Sequence, residues 1–273
     1  MENAGKMRPG KEDLERMRPE KPKPGKSRLD LLLVERSLAA SRERAQALIL
    51  AGRVLVREQK VDKPGTAVVE DAPIRLLGQD QPYVSRGGLK LAAALEHWQI
   101  RVAGRACFDV GASTGGFTDC LLQHGAAHVA AIDTGFGQID MKLRNHPCVR
   151  LMERTNARLL EPGSLDAPSQ EDSLLVMDVS FISATLVLPA VVAAAPSLTE
   201  AVILVKPQFE AGRQHVGKGG IVRDTAAHSL AIAKVADCVR SLGWKVVETI
   251  PSPITGAEGN REFLLFAKRI HCG

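Results

Sequence analysis

Phe108-Asp109-Val110-Gly111-Ala112-Ser113-Thr114-Gly115-Gly116-Phe117-Thr118-Asp119 reads as a buried strand, a glycine-rich turn and the first turn of a helix. Glycine lets a backbone turn sharply and come close to a ligand. The next apolar run, Ala130-Ala131-Ile132-Asp133, ends in a carboxylate about 20 residues further on, where it can accept hydrogen bonds from ribose hydroxyls. No glycine stands two places after Gly111, so the spacing departs from the dinucleotide fingerprint and disfavours a nicotinamide-dependent dehydrogenase. Working outward, strands are expected near 106–110, 128–133, 149–153, 174–178, 201–206, 245–250 and 262–268, with helical stretches between most of them. That alternation predicts a doubly wound α/β sheet.

Three of these runs carry one ionisable residue at the rim: Asp178 after Leu174-Leu175-Val176-Met177, Lys206 after Ala201-Val202-Ile203-Leu204-Val205, and Glu262 before Phe263-Leu264-Leu265-Phe266. Lys90, in Ser85-Arg86-Gly87-Gly88-Leu89-Lys90, opens or precedes a helix expected over Leu89 to Trp98. Ligands of such sheets bind outside the carboxyl ends of the strands, where Asp178 and Lys206 fall. Four charges there could form a solvated rim. An inward Lys206 flanked by two carboxylates is the sharper reading, because a desolvated ammonium is costly without partners. A set of Lys, Asp, Lys and Glu suits a weak hydroxyl nucleophile, whose proton must be accepted or whose developing charge must be stabilised.

The chain has 273 residues, 45% apolar and only 4% aromatic, enough for one large domain and a small one with an aliphatic core. A net charge of +5 favours a polyanionic partner, and serves solubility as well. Cys107, Cys120, Cys148, Cys238 and Cys272 are scattered without metal-like spacing, as expected of reduced thiols in a cytoplasmic protein. His124 and His128 are read as loop residues around Gly125, and no metal site is expected. No apolar signal core opens the chain, and the Ala184 to Ala195 stretch, broken by Pro189, is too short to span a membrane.

Residues 1–26, with Pro9, Pro19, Pro22 and Pro24 among Lys, Arg and Glu, are expected to be a disordered basic tail. A compact unit over 27–77 follows: Ser27 is expected to cap a helix bearing Leu29, Leu32 and Leu33, and Ser41 a second that Gly52 stops. Arg53 to Arg57 alternates like a half-buried strand, and Arg42, Arg44, Arg53 and Arg57 concentrate charge suited to phosphates. Residues 78–83 are a polar connector, and 84–273 hold the larger domain.

Arg28-Leu29-Asp30, Ser41-Arg42 and Ala45-Gln46-Ala47-Leu48-Ile49-Leu50-Ala51-Gly52-Arg53-Val54-Leu55-Val56 resemble the S-four-type RNA-binding domain. That resemblance implies an RNA-facing role for Arg28 together with the four arginines above. The glycine turn with Asp133 resembles S-adenosylmethionine-dependent methyltransferases. By position Gly111, Ser113, Gly115 and Asp133 would hold that cofactor, Asn156 would approach its adenine or serve as a turn residue, and Phe136 would pack on it or in the core. In that family the last strand runs antiparallel between the fifth and sixth, which would bring Glu262 beside Lys206.

The Lys90, Asp178, Lys206 and Glu262 set resembles the FtsJ-like ribose 2′-O-methyltransferases. Together with the small domain, Met177-Asp178-Val179-Ser180-Phe181-Ile182-Ser183, Val205-Lys206-Pro207-Gln208-Phe209-Glu210 and Val216-Gly217-Lys218-Gly219-Gly220 are similar to the TlyA family. The resemblance implies a Rossmann-like fold with a seven-stranded sheet, preceded by a small α+β RNA-binding domain. It further implies methylation of cytidine riboses in large-subunit ribosomal RNA, and in some members small-subunit RNA, with ribosomal subunits as partner and no membrane. Lys206 would be base or alkoxide stabiliser, Asp178 its orienter, and Lys90 and Glu262 would position the nucleotide. Tyr83 stands where relatives carry Trp. The Gly217 to Asp224 loop, with Lys218 and Arg223, is read as an RNA-contacting flap or a plain glycine-rich loop. The competing classes are an RNA- or ribosome-binding protein without turnover and a membrane-active haemolysin, a label attached to this family. The latter is disfavoured because no spanning or clear lytic helix is evident.

Overall fold

A computed structural model describes residues 25–39, 41–77, 82–165, 172–256 and 258–270. The basic leader through residue 24, most of the polar connector and Cys272 lie outside the described residues. The chain divides into two compact units, Met1–Asp80 and Gln81–Gly273.

In the first unit, β1 (Lys26–Arg28) leads into α1 (Leu29–Glu35), then α2 (Arg42–Leu50), β2 (Val54–Val56), β3 (Gln59–Val61), β4 (Ala67–Val69) and β5 (Ile74–Leu76). Strand β1 pairs antiparallel with β4, and β2 pairs with both β3 and β5. Leu29, Leu32 and Leu33 of α1 pack on Ala45, Leu48 and Ile49 of α2, with Val54 beneath. The expectation that Ser27 caps α1 is corrected. Ser27 lies inside β1, paired with Val68, and the cap position is Arg28, which makes no side-chain capping bond. The first N–H groups of α1, at Leu29 and Asp30, donate instead to the carbonyls of Thr66 and Pro64, so no side-chain cap is required. Ser41 does cap α2, accepting from the Arg44 N–H at 3.2 Å. Gly52 ends that helix at φ +64°, where a side chain would run into Lys60.

The small core is fastened by one carboxylate. Asp30 is fully buried and accepts from Arg28 Nε and Nη2 at 2.9 Å, Arg42 Nε at 3.0 Å and Gln46 Nε2 at 3.1 Å, joining β1, α1 and α2. The Arg28 hydrogen bond is the main cause that holds its pKa well below the ordinary carboxylate range.

In the second unit, α3 (Gly87–His97) precedes β6 (Ala106–Val110), α4 (Gly116–Gln123), β7 (His128–Ile132), α5 (Met141–Arg144) and β8 (Val149–Met152). Then come β9 (Ser173–Met177), α6 (Leu188–Ala194), β10 (Leu198–Val205), α7 (Pro207–Glu210), α8 (Thr225–Ser241), β11 (Trp244–Pro251) and β12 (Phe263–Arg269). The seven strands lie in the order β11-β12-β10-β9-β6-β7-β8. Strand β12 is antiparallel to both neighbours, while β10, β9, β6, β7 and β8 are mutually parallel.

Strand alternation divides the sheet's side chains between two cores. Val202 and Leu204 of β10 face Leu91 and Leu95 of α3 and Phe117 and Leu121 of α4. Ala201, Ile203 and Val205 face the opposite layer with Val191 of α6 and Val235 of α8. Asp133, Asp178, Lys206 and Glu262, expected as terminal strand residues, each stand one residue outside the ladder. Asp133 and Asp178 keep their backbones tied to the neighbouring strands through Met152 O and Val110 O, so the side chains sit at the rim on fixed main chain. No helix among the described residues is long and apolar enough to cross a membrane.

Asp30→Asn should destabilise the first unit by about 1–2 kcal/mol, because it removes charge-assisted bonds from a buried site while the half-exposed arginines turn to water. A depressed carboxyl pKa gives stability that is full above the unfolded value of about 4 and is lost as pH falls through the lower folded value. Hydrogen exchange in the full chain should therefore show α1 and α2 protected from neutral pH down to about 4. Asp30→Asn should already be weakened at neutral pH, and equal protection in the two proteins would contradict the fastening role.

Candidate active site

The glycine-rich turn is required by close approach of two strand ends. Gly111 stands at φ +89°, and a side chain there would lie 2.4 Å from the carbonyl oxygen of Asp178. Only glycine lets the ends of β6 and β9 come so near. Ser113, at φ +49°, donates its N–H to Asp133 Oδ2 at 2.8 Å, and Gly135 N–H donates to Asp133 Oδ1 at 2.6 Å. Asp133 thus orders the turn as well as the loop after its own strand. Gly111, Ser113, Asp133, Asn156, Ala157 and Ile182 help line a cavity of about 400 Å³.

Asn156 both lines that cavity and caps the following turn, its Oδ1 accepting from the Arg158 N–H at 3.1 Å. Gly115, at φ +94°, starts α4 against Leu143 and lines neither cavity described here. Reading Phe136 as a core aromatic is corrected: it is 63% exposed, with the Arg154 guanidinium 4.1 Å from its ring centre. The short loop after β7 carries it outward, and the cation covers its face.

A second cavity, of about 450 Å³, contains all four charged residues at the rim. Lys206 Nζ lies 2.6 Å from Asp178 Oδ1 and donates to Ser180 Oγ at 2.6 Å. Lys90 Nζ donates to Glu262 Oε2 at 2.5 Å. The expectation that two carboxylates flank Lys206 is corrected: Lys206 pairs with Asp178 and a hydroxyl, and Glu262 pairs with Lys90, which gives two separate ion pairs. Both lysine side chains are only 10% exposed, so each ammonium depends on its partner. An ammonium has three donors; Ser180 takes one at Lys206, while Asp178 Oδ1 sits at ion-pair distance without a hydrogen bond to it, so the nitrogen keeps donor capacity for a further acceptor.

Ser180 and Phe181 are site residues that strand patterning does not identify. They lie past the end of β9, where no periodicity operates. The sequence signals are their place directly after a rim carboxylate and their part in the Met177–Ser183 segment that carries the family resemblance. Phe181 is 92% exposed at φ +65° and packs at a tilt on Phe209, 5.6 Å between ring centres. A large residue held exposed in the left-handed region marks a functional segment. Gly111, Ser113, Asp178, Ser180 and Phe181 line both cavities and form their common wall. The arrangement can therefore hold two ligands that meet at this wall, with Lys206 on the side of the second cavity.

The remaining basic residues differ in setting. Arg28 and Arg42 are engaged by Asp30, and Arg53 Nε donates to the Leu77 carbonyl at 2.9 Å. Arg44 and Arg57 lie exposed on the first unit. Lys218 and Arg223 are exposed on the loop after α7, whose Val216 and Gly220 line the second cavity.

Fold and site together define a Rossmann-like methyltransferase. Residues 83–269 match the FtsJ-like methyltransferase family and residues 27–74 match the S4 domain, so the chain belongs to the FtsJ-like methyltransferases and carries an S4 domain. It is 46% identical over 244 residues to the 16S/23S rRNA (cytidine-2′-O)-methyltransferase TlyA of Mycobacterium tuberculosis, covering 89% of this chain and 90% of that one. It is 42% identical to Hemolysin A of Brachyspira hyodysenteriae, covering 87% and 98%. A solved structure described as a hemolysin from Streptococcus thermophilus superposes with TM-score 0.65 at 39% identity, covering 90% and 89%.

Below the common wall, Asp109 of β6 is fully buried and accepts from the Thr118 hydroxyl at 2.6 Å. Burial pushes its pKa up to about 7, opposed by that hydrogen bond and reinforced by the charge of Asp178. A carboxyl raised on folding gives stability that is full below the unfolded value of about 4 and is lost as pH rises through the folded one. Asp109→Asn keeps an acceptor for Thr118 and cannot ionise. Its melting temperature relative to the parent should climb between pH about 4 and 7 and level off above. A difference constant across that range would show that Asp109 titrates normally.

Proposed function

We propose that this chain transfers the methyl group of S-adenosylmethionine to the 2′-hydroxyl of a cytidine ribose in ribosomal RNA. The observation that carries the reading is Lys206, held by Asp178 and Ser180 at the common wall of two cavities. The cytidine, and the small- and large-subunit RNA that contains it, follow from the names of the relatives at this level of identity.

The smaller cavity fits the cofactor by its chemistry. Its floor at Gly111 is a cradle that any side chain would fill, and the Asp133 carboxylate retains lone pairs for ribose hydroxyls beyond its two backbone donors. Gly111, Ser113, Asp133 and Asn156 would hold it. Bound there, S-adenosylmethionine supplies an electrophilic methyl group on a sulfonium centre.

Everything else falls to the chain's own side chains. Lys206 meets the ribose hydroxyl through a direction that Ser180 leaves open, as an ammonium that stabilises the developing alkoxide charge or, in its neutral form, as base for the proton. Asp178 and Ser180 fix its nitrogen. The Lys90–Glu262 pair, in the same cavity, positions the nucleotide. Phe181 offers a base an aromatic face at the mouth. The S4 domain contributes salt-sensitive affinity for the phosphate backbone, with Arg44 and Arg57 among its exposed cations.

Lys206→Ala should reduce methyl transfer to ribosomal RNA on the order of 1000-fold while cofactor affinity, measured by calorimetry, stays unchanged. Ser180→Ala, which removes one of two constraints on the same nitrogen, should cost about 10-fold. Full activity of Lys206→Ala in a folded, cofactor-binding protein contradicts the assignment. Phe181→Ala should raise KM for RNA about 10-fold, through weaker stacking, and leave cofactor affinity alone. An unchanged KM removes Phe181 from RNA recognition.

A further inference from the structure

The loop between α7 and α8 has the composition of a mobile lid, Val216-Gly217-Lys218-Gly219-Gly220-Ile221-Val222-Arg223, yet it is pinned by two buried polar side chains. Asn260 is 1% exposed. Its Oδ1 accepts from the Val222 N–H at 2.9 Å and its Nδ2 donates to the Gly220 carbonyl at 2.9 Å. Its own carbonyl accepts from the Gly256 N–H at 2.9 Å, which closes the loop that ends at Glu262. From α8, buried His228 lies with Nε2 3.0 Å from the Val222 carbonyl. A carbonyl only accepts, so Nε2 carries the proton. The imidazole also packs on Phe263, 5.5 Å between ring centres, beside Glu262.

These three bonds hold Gly220 to Val222, and Val222 itself is buried. Within the loop, Gly217 N–H donates to Ile221 O and Gly220 N–H to Gly217 O. Buried polar groups that are hydrogen-bonded in this way favour one arrangement, because breaking the bonds to Asn260 or His228 would leave a desolvated donor or acceptor behind. The loop is therefore a fixed wall of the target cavity, which it lines through Val216 and Gly220 together with Ile254, Thr255 and Glu258. Lys218 and Arg223 stand exposed on either side of the pinned segment.

We propose that Asn260 and His228 are positioning residues. They latch this loop to the Glu262 segment so that Lys218 and Arg223 meet the RNA backbone beside the nucleotide being methylated. The proposal rests on the RNA reading above and adds how the phosphates next to the target are gripped. A loop without the latch would carry the same charges but would have to be ordered on each binding event, and its hold on the phosphates would weaken.

The test is the salt dependence of RNA affinity. Removing one cation that neutralises a phosphate flattens the slope of log K against log salt by roughly 1. The double variant Lys218→Ala/Arg223→Ala should flatten it by roughly 2. Asn260→Ala removes no charge, and His228→Phe keeps an aromatic ring against Phe263 while deleting the donor to Val222. Both keep every cation, so they should leave the slope near the parent's and weaken RNA affinity about 10-fold at fixed salt through the added ordering cost, with cofactor affinity at the parent's value; if Asn260→Ala abolishes cofactor binding, His228→Phe alone carries the test. Parental RNA affinity in Asn260→Ala and His228→Phe, with a flattened slope in the double variant, overturns the latch and leaves RNA binding by the loop standing. A parental slope in the double variant overturns that binding, and the latch with it. RNA that binds none of the proteins, parent included, contradicts the proposed function itself.

Discussion

Lys206 is a cation at the end of a buried parallel strand, and the architecture around it makes that position tenable. An ammonium taken this far out of water needs a charge partner. Asp178 provides one from the adjacent strand at 2.6 Å, and Ser180 completes the setting from the loop that follows. The pairing depends on β9 and β10 being parallel neighbours with Met177 aligned on Ile203, so that Asp178 and Lys206 emerge at the same edge two positions apart. It depends also on Gly111, because any side chain there would push the Asp178 backbone away. The antiparallel insertion of β12 beside β10 then delivers Glu262 to the same edge, where it neutralises Lys90 of α3. One sheet rim thus holds two cations and two carboxylates around a shared cavity without an unpaired charge among the four.

The common wall explains why these charges stand where two ligands converge. Gly111, Ser113, Asp178, Ser180 and Phe181 each face both cavities. The residue that shapes the backbone cradle and the residue that orients Lys206 are therefore in contact, and a shift in either is transmitted within one or two residues. Methyl transfer requires donor and acceptor to be aligned closely, and a wall this thin suits that requirement.

Much of this was legible in the sequence, for identifiable reasons. Lys206, Asp178 and Glu262 stand out because each is a single charge at the end of an apolar run, and Gly111 with Asp133 because a turn glycine and a rim acid recur at a known spacing. What the pattern could not supply is pairing: Lys206 chooses Asp178 and Ser180, and Glu262 goes to Lys90 across 172 positions of sequence. Ser27 and Ser41 show the same limit locally. Both precede apolar helical runs, yet only Ser41 caps, because backbone carbonyls of a distant turn serve the other helix. Arg28 and Arg42 read as surface charge until Asp30, buried between them, is seen. Asn260, in a loop, and His228, early in α8, carry no periodic signal, since buried polar residues are defined only by the groups they satisfy.

The central claim is that the methyl acceptor at this site is a ribose hydroxyl, and the chemistry of RNA reports the methylated atom directly. Alkaline cleavage of RNA proceeds through attack of a free 2′-hydroxyl on its own phosphate, so a 2′-O-methyl group protects the bond that follows it. Isolated ribosomal subunits incubated with this protein and S-adenosylmethionine labelled in the methyl group should, after alkaline digestion, hold the label in resistant dinucleotides that begin with methylated cytidine. Label recovered in mononucleotides would place the methyl on a base and contradict the account.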